Sequence, residues 1–319
     1  MPKVFLTGAT GFVGSQIAEV LATAGHDVLV GLRTARAESL PWGSVVVDYN
    51  SVEAIEAAAV GSDAIVHCAI DNSFHNLQNN RPLAYDAFVG LTQRVTRAAE
   101  KIKAQPIYIS TDWVFDGKKH MVPESEPANP INFYGVLKSL GEQVIRDLAP
   151  DGAICRIAGV MGQHRLQAEN PRVQDVGFGY FVASIVQALR AGKTFEVWTG
   201  DGVNAIATPT LASEIGAGIE RIISTRAAGT FHLVSSEAID RMGLAHLTCE
   251  VFGLDASKLL ATPAPAESRF AEGVPVDSSL SSEQTRKILN LAPTTVRQHL
   301  EAFKIEMETG KLHPITQPN

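Results

Sequence analysis

The chain has 319 residues, of which 45% are hydrophobic and 19% charged, and its formal net charge is −7. This composition is typical of a globular protein with a large buried core, either one large domain or a large domain with a smaller one. Lys118-Lys119 is its one basic cluster, so we expect no nucleic-acid partner. The sequence has no apolar run near the ~20 residues of a membrane span and no signal-peptide pattern, so we expect no membrane partner.

The three cysteines, Cys68, Cys155 and Cys249, are odd in number and far apart in the sequence. Neither a Cys-x-x-Cys nor a His-x-x-x-His spacing occurs, so the sequence predicts no metal site and no disulfide framework. Small buried thiols are typical of proteins in a reducing compartment. We therefore expect a cytoplasmic protein.

The N-terminal part of the chain predicts a strand, a helix and a second strand. Residues 4–6 form a short apolar run, and apolar residues then recur at helical spacing over 13–24. Gly25 ends that helix, and the apolar residues 28–30 predict the second strand. Elements in this order form a βαβ unit, which indicates a parallel sheet.

Three glycines, Gly8, Gly11 and Gly14, lie in and just after the turn between the first strand and the first helix. The first glycine permits a tight turn, the second lets the backbone approach a phosphate, and the third lets the helix pack closely on the strand. The turn would therefore bring a pyrophosphate to the N-terminus of the helix. The predicted cofactor contacts in this segment are Gly8, Thr10, Gly11, Phe12, Val13 and Gly14.

The residues after the second strand favour one cofactor. An NAD site usually carries Asp or Glu there, whereas an arginine accommodates the 2′-phosphate of NADP. Here Arg33 and Arg36 follow the strand, and no acidic residue occurs before Glu38. Arg33 can form charge-assisted hydrogen bonds to that phosphate, although a solvated loop arginine is the alternative interpretation. The sequence favours NADP(H) over NAD(H).

Later apolar runs predict further strands, at residues 45–47, 64–70, 107–109 and 153–157. In open α/β sheets the ligands bind beyond the carboxyl ends of the strands. The residues near these ends that we expect to contact the cofactor are Asp48, Tyr49, Cys68, Ala69, Ile70 and Ile157. His67, within the run 64–70, is predicted to be a packed, hydrogen-bonded residue rather than a catalyst.

The stretch from residue 110 to residue 138 carries the candidate chemistry. Tyr134 and Lys138 are four residues apart, so on a helix their side chains share one face. Thr111, after the strand at 107–109, can hold a carbonyl oxygen, and Tyr134 can donate a proton to it as a hydride arrives. Lys138 would lower the pKa of the phenol from ~10 by placing a positive charge beside it. This spacing is also common on ordinary amphipathic helices, and the separate nucleotide-binding turn is what favours the catalytic interpretation.

The sequence changes character after residue 162. Residues 163–176 are polar and without periodicity, which predicts a loop over a substrate pocket, and the polar run 71–81 predicts a second loop that gates the site. Helices are predicted over 178–189 and from residue 208, and residues 230–234 predict a strand that extends the first sheet.

From these elements we expect an α/β fold: a Rossmann-type doubly wound parallel sheet with a smaller mixed C-terminal substrate domain. The predicted cofactor domain covers residues 1–160 and about 208–235. The predicted substrate domain covers about 161–207 and 236–319. The sequence leaves open whether the chain forms a homodimer.

Two motifs resemble those of the extended short-chain dehydrogenase/reductase family. Residues 7–14 (Thr-Gly-Ala-Thr-Gly-Phe-Val-Gly) resemble its cofactor motif, and residues 134–138 (Tyr-Gly-Val-Leu-Lys) resemble its active-site motif. Residues 110–117 (Ser-Thr-Asp-Trp-Val-Phe-Asp-Gly) further resemble the Ser-Thr-Asp-Tyr-Val-Phe-Asp-Gly segment of the dTDP-4-dehydrorhamnose reductases. The resemblance covers nearly the whole chain.

The resemblance implies a role for each matching residue. Thr111, Tyr134 and Lys138 would form the catalytic triad, and Lys138 would also hold the nicotinamide ribose. Asp112 and Trp113 would face the substrate beside Thr111 and Tyr134.

Three positions depart from the pattern of these reductases. Gly159 stands in place of the tryptophan in the segment Arg-x-x-Trp-Val-Tyr-Gly, against which the sugar packs. Trp113 replaces a tyrosine, and Ala87 stands where asparagine is frequent. These departures bear on the identity of the substrate rather than on the chemistry.

Three functional hypotheses follow. The first is an NADPH-dependent reductase of a carbonyl, the 4-keto group of a deoxysugar nucleotide. The second is an NAD(P)-dependent nucleotide-sugar epimerase or dehydratase, although Trp113 takes the place of the glutamate that family dehydratases use and Arg33 does not favour the bound NAD of an epimerase. The third is a non-catalytic NADP-binding regulatory subunit, since the β subunit of methionine adenosyltransferase resembles the same reductases.

Overall fold

The computed structural model describes residues 1–36, 38–70, 79–167, 173–268 and 272–316. The strands are β1 (Lys3–Thr7), β2 (Asp27–Leu32), β3 (Gly43–Val46), β4 (Ala64–His67), β5 (Gln105–Thr111), β6 (Ala153–Ile157), β7 (Val160–Met161), β8 (Phe195–Thr199), β9 (Ile206–Ala207), β10 (Thr210–Leu211), β11 (Gly229–His232), β12 (Ile239–Asp240) and β13 (Leu259–Pro263).

The α-helices are α1 (Phe12–Thr23), α2 (Val52–Ala59), α3 (Arg81–Tyr85), α4 (Leu91–Ile102), α5 (Phe133–Leu148), α6 (Phe181–Arg190), α7 (Ala212–Thr225), α8 (Arg241–Phe252), α9 (Glu283–Leu289) and α10 (Val296–Thr309). A π-helical turn, Asp86–Gly90, joins α3 to α4. None of the helices in the described ranges has the length and apolar character needed to cross a bilayer.

Seven strands form one parallel sheet in the order β11-β6-β5-β4-β1-β2-β3. The strand order reverses between β1 and β4, which is where open α/β sheets bind their ligands. The strand expected at residues 230–234 is present as β11 and lies at the edge of this sheet, beside β6. The predicted Rossmann-type α/β fold is therefore confirmed, whereas the division into two domains stays a prediction.

Helices cover both faces of the sheet, which explains why its strands are continuous apolar runs. On one face α1 and α7 bury residues such as Ile17 and Ile219 against β1. On the other face α2 and α4 bury Ile55 and Val95. A separate core joins α6, α8 and α10 around residues such as Phe303.

Long-range pairing changes two element boundaries. The strand expected over 64–70 ends at His67, so Cys68, Ala69 and Ile70 lie just beyond it, at the carboxyl edge of the sheet. The helix expected from residue 208 begins instead at Ala212, because residues 210–211 pair in parallel with residues 160–161.

Two of the expected loops are described only in part. Residues 71–78 of the predicted gating loop and residues 168–172 of the predicted loop over the pocket lie outside the described residues. The other residues of these loops are described, and residues 175–176 of the second loop border the central cleft of the molecule.

Candidate active site

The glycine-rich turn has no room for a Cβ atom at Gly8 or at Gly14. Gly11 donates its backbone N–H to the carbonyl of Gly8 at 3.0 Å, and Gly8 has a φ of +76°, which favours glycine. A Cβ at Gly8 would lie 2.6 Å from the backbone nitrogen of Ala69, and one at Gly14 would lie 2.3 Å from the carbonyl oxygen of Gly8. The turn, the start of α1 and the end of β4 are therefore in backbone contact.

The N-terminus of α1 fits a bound pyrophosphate. Gly11 is its N-cap, and within the described ranges no side chain caps the first backbone N–H groups of the helix. These N–H groups and the positive end of the helix dipole suit an anion. Residues 8, 11 and 12–14 line the central cleft, which has a volume of about 1280 Å³.

A second cleft of about 840 Å³ continues from the same turn towards Arg33 and Arg36. Tyr49 lines it too. Burial raises the pKa of the Tyr49 phenol, and its buried hydroxyl has no hydrogen-bond partner among the described residues. The residues on the cleft wall that the sequence also predicted are Gly8, Thr10, Gly11, Arg33, Tyr49, Cys68, Ala69 and Ile70.

Asp48 lies in a turn after β3. Its side chain is exposed and accepts a hydrogen bond from the backbone N–H of Asn50 at 2.9 Å, so it shapes the turn before α2. Asp48 borders neither of the two clefts, whereas its neighbour Tyr49 borders one. The expected contact of Asp48 with the cofactor stays a prediction.

Thr111 and its two neighbours form the floor of the central cleft. Thr111 ends β5 and is the N-cap of a 3₁₀ turn, Asp112–Val114, in which its hydroxyl accepts a hydrogen bond from the backbone N–H of Trp113 at 3.3 Å. The same hydroxyl donates to a carboxylate oxygen of Asp112 at 2.9 Å. All three residues line the cleft.

Tyr134 and Lys138 lie on α5 and line the same cleft as Thr111. The Lys138 ammonium is buried, donates a hydrogen bond to the carbonyl of Ile109, and lies 4.5 Å from the centroid of the Tyr108 ring. Burial lowers the pKa of Lys138 to about 8. Since that pKa is still above neutrality, the lysine keeps its charge at pH 7.

The ring of Tyr134 is held by two other aromatic rings. Its centroid lies 6.0 Å from that of Trp113 and 6.0 Å from that of Phe88, with edge-to-face geometry in both pairs. Gly135, the next residue of α5, allows this approach, because a Cβ there would lie 2.1 Å from the carbonyl oxygen of Trp113. The helix and the 3₁₀ turn are thus in contact at the site.

A buried cluster of charged residues is hydrogen-bonded to the end of β5. Glu142, on α5, accepts two hydrogen bonds from Arg156 at 2.8 Å each and one from the Ser110 hydroxyl at 2.6 Å. Burial opposes ionisation of Glu142, but the bonds from Arg156 and Ser110 hold the pKa of its carboxyl below the usual value. These hydrogen bonds join Glu142 on α5 to Ser110 on β5 and Arg156 on β6, and Ser110 is next to Thr111.

His67 is packed and hydrogen-bonded, as predicted. Its ring nitrogens contact the hydroxyls of Thr7 at 2.8 Å and Thr92 at 3.2 Å, and burial lowers its pKa to about 3. Cys68, Cys155 and Cys249 are free thiols.

Several residues that border the central cleft were not predicted from the sequence. These are Asn204 and residues 177–180. The ring of Tyr180 lies 5.2 Å from that of Phe12, so this loop reaches over the start of α1. The alternation Gly-Phe-Gly-Tyr in residues 177–180 was the available signal, since glycines between aromatics are unusual inside a helix.

The sequence matches the family model described as the RmlD substrate binding domain over residues 2–308. The chain belongs to this family. The resemblance to the dTDP-4-dehydrorhamnose reductases is thereby confirmed.

Curated relatives of this RmlD-family chain include reductases and a regulatory subunit. A protein from Haloferax volcanii named as a probable low-salt glycan biosynthesis reductase is 28% identical over 94% of this chain and 96% of its own length. The dTDP-4-keto-6-deoxy-D-glucose reductase of Streptomyces niveus is 26% identical over 81% of each chain. The β subunit of methionine adenosyltransferase 2 from Bos taurus is also 26% identical, over 81% of this chain and 74% of its own length.

Solved structures show the same RmlD-family fold. A dTDP-4-dehydrorhamnose reductase from Bacillus anthracis, in complex with NADP, superposes with a TM-score of 0.79 over 96% of this chain and 99% of that chain, at 22% identity. A hypothetical dTDP-4-dehydrorhamnose reductase from Sulfolobus tokodaii superposes with a TM-score of 0.74 over 92% of this chain and 97% of that chain, at 25% identity.

Proposed function

We propose that this chain is an NADPH-dependent reductase of a carbonyl group and that its substrate is a 4-keto-deoxysugar nucleotide. One observation carries the proposal: Thr111, Tyr134 and Lys138 line a single cleft that continues into the glycine-rich turn. The family match and the named activities of the reductase relatives support it.

Bound NADPH supplies the hydride, and side chains of this chain manage the carbonyl oxygen. Tyr134 donates the proton that converts this oxygen to a hydroxyl, which is general-acid catalysis worth ~10²–10⁴-fold in rate. Lys138 is charged at neutral pH and stabilises the phenolate that the proton transfer leaves behind. Thr111 holds the oxygen beside Tyr134.

The cleft wall supports a sugar-sized substrate. Aromatic rings from Trp113, Tyr134, Phe178 and Tyr180 form much of it, and the amide of Asn204 adds a polar group. A largely apolar wall with a few placed polar groups is usual for a small-molecule site. Nucleotide sugars are named as substrates or ligands of several relatives and neighbours. Homodimer formation and a cytoplasmic location stay predictions.

The second cleft supports NADP(H) as the cofactor. Arg33 and Arg36 border it and offer guanidinium groups to a 2′-phosphate. The predicted glycine-turn contacts hold the pyrophosphate, and Ile70 and Ile157 line the central cleft, where the nicotinamide would lie.

The direct test is NADPH consumption, followed by its absorbance, in the presence of dTDP-linked 4-keto-6-deoxy sugars. We expect reduction to the corresponding alcohol and faster turnover with NADPH than with NADH. Folded protein that binds NADPH but reduces none of these ketones would contradict the proposal. Copurified NAD that does not exchange with solution would favour the epimerase hypothesis instead.

Cofactor choice has its own test. The double variant Arg33→Ala/Arg36→Ala should raise KM for NADPH by at least about 10- to 100-fold, because the loss of one hydrogen bond to a charged phosphate costs about 1.5–3 kcal/mol. KM for NADH should stay within twofold. Arg97→Ala is the matched control, since Arg97 is exposed on α4 and borders neither cleft.

A further inference from the structure

The carboxyl group of Asp112 lies between two hydroxyl groups. Its Oδ1 accepts a hydrogen bond from Thr111 at 2.9 Å, and its Oδ2 accepts one from Ser278 at 2.5 Å. The Ser278 oxygen also lies 3.1 Å from the amide oxygen of Asn204. All four residues are buried, and Ser278 is 166 residues away from Asp112 in sequence.

The hydroxyl of Thr111 has one hydrogen, and in this arrangement Asp112 takes it. The Thr111 oxygen accepts from the backbone N–H of Trp113 at the same time. Towards the cleft the hydroxyl can then only accept a further hydrogen bond. A ketone oxygen has no hydrogen to donate, so while Asp112 is ionised Thr111 can hold a ketone only by giving up its bond to that carboxylate.

A protonated Asp112 reverses this bond without moving an oxygen atom. The acid O–H then donates to the Thr111 oxygen, while Ser278 continues to donate to the other carboxyl oxygen. The Thr111 oxygen accepts two hydrogen bonds, from Asp112 and from Trp113, and its own hydrogen is directed to the cleft. This is the orientation that a ketone oxygen requires.

We infer that Asp112 is a positioning residue whose proton sets whether Thr111 donates to or accepts from a ligand in the cleft. The inference rests on the proposed function, since only a carbonyl substrate needs Thr111 as a donor. The proton comes from solvent before the ketone binds, and it stays on Asp112 while Tyr134 supplies the proton of the reaction. Ketone binding therefore takes up one proton above the titration midpoint of Asp112.

The surroundings of Asp112 allow both its protonated and its ionised form near neutral pH. Burial raises the pKa of Asp112 to about 6, and this rise is opposed by hydrogen bonds from the hydroxyls of Ser278 and Thr111 and from the backbone N–H groups of Asp112 and Trp113. The titratable groups on the elements around it are Tyr134 and Lys138 on α5, Asp175 in the loop after β7, and Asp277 paired with His120 beside Ser278.

The first test compares pH profiles of kcat/KM for ketone reduction between about pH 5 and 9. In the unmodified protein kcat/KM should fall about tenfold per pH unit above pH 6. Asp112→Asn should remove this fall, because its amide donates permanently to Thr111 while its oxygen accepts from Ser278. Ser278→Ala should move the fall to higher pH, because the carboxylate loses a donor. An unchanged profile in Asp112→Asn, or an equal loss of rate at every pH, would overturn the inference.

The second test needs no substrate, so it separates this inference from the proposed function. Infrared difference spectra should show the carbonyl band of a protonated carboxyl group that disappears with a midpoint near pH 6 and is missing in Asp112→Asn. The band should shift in Thr111→Val, because the acid loses its acceptor. A band that does not titrate, or that is the same in Thr111→Val, would overturn the inference even if ketones are reduced.

Discussion

The buried pair of Glu142 and Arg156 gives a sharp prediction of stability. The side chains are 0% and 1% exposed, and two hydrogen bonds of 2.8 Å join them. Glu142→Gln keeps the shape of the side chain but leaves the guanidinium in the core without its counter-charge. Breaking such a pair from one side costs about 3–5 kcal/mol, a large part of the 5–15 kcal/mol that is typical for the free energy of unfolding.

The assay is equilibrium unfolding in urea, followed by tryptophan fluorescence at pH 7. We expect the midpoint of Glu142→Gln to fall with little change in slope. Glu19→Gln is the matched control, since Glu19 pairs with Arg165 at side-chain exposures of 30% and 18% and should lose no more than about 1 kcal/mol. A loss in Glu142→Gln as small as in the control would refute the reasoning.

A double variant tests whether the uncompensated charge is the cause. In Glu142→Gln/Arg156→Met neither charge remains buried, so the loss should be smaller than the sum of the two single losses. An additive loss would show that the two side chains act separately. The pKa of the Glu142 carboxyl is lower in the folded state than in the unfolded chain. The contribution of Glu142 to the free energy of unfolding should therefore be complete above its unfolded pKa, and it should be lost as the pH falls through its folded pKa.

Two further predictions concern a buried acid and the glycine turn. Burial raises the pKa of Glu306 to about 7. The free energy of unfolding should therefore fall by about 3 kcal/mol as the pH rises from 4.5 to above 7. Glu306→Gln should remove this fall when urea unfolding is measured at the two pH values. Gly14→Ala should weaken NADPH binding at least tenfold by fluorescence titration, because its Cβ would meet the Gly8 carbonyl at 2.3 Å. Gly43→Ala, whose Cβ would make only ordinary contacts, should bind NADPH normally.

The predictions for Glu306 and Gly14 each have an outcome that would contradict them. If the difference in unfolding free energy between Glu306→Gln and the unmodified protein is the same at both pH values, the carboxyl of Glu306 does not titrate as described. If Gly14→Ala and Gly43→Ala bind NADPH equally, the close approach of α1 to the turn is not required for the cofactor.

The parts of the site that sequence could predict are local. Gly8, Gly11 and Gly14 act within one turn, and Tyr134 and Lys138 share a face because the helical repeat places residues four apart together. Short-range patterns of this kind can be seen in the sequence without knowledge of the fold. They were enough to predict the α/β class and the family.

The parts that sequence could not predict depend on distant residues. Ser278 reaches Asp112 across 166 positions, and Arg156 reaches Glu142 from a neighbouring strand, so no local pattern marks either pair. Helix α7 starts at Ala212 rather than at residue 208 because the residues before it pair with β7. The carboxylate of Asp48 accepts a hydrogen bond within a local turn, which its place after a strand did not predict.

The central claim is that the phenol of Tyr134 gives its proton to a carbonyl oxygen beside bound NADPH. The most direct measurement is the single-turnover rate of NADPH oxidation by Tyr134→Phe on a ketone that the unmodified protein reduces, with Tyr85→Phe as an exposed control on α3. We expect Tyr134→Phe to lose ~10²–10⁴-fold in rate while its Kd for NADPH stays within twofold, and Tyr85→Phe to keep both values. A Tyr134→Phe variant that oxidises NADPH at the unmodified rate would contradict the account.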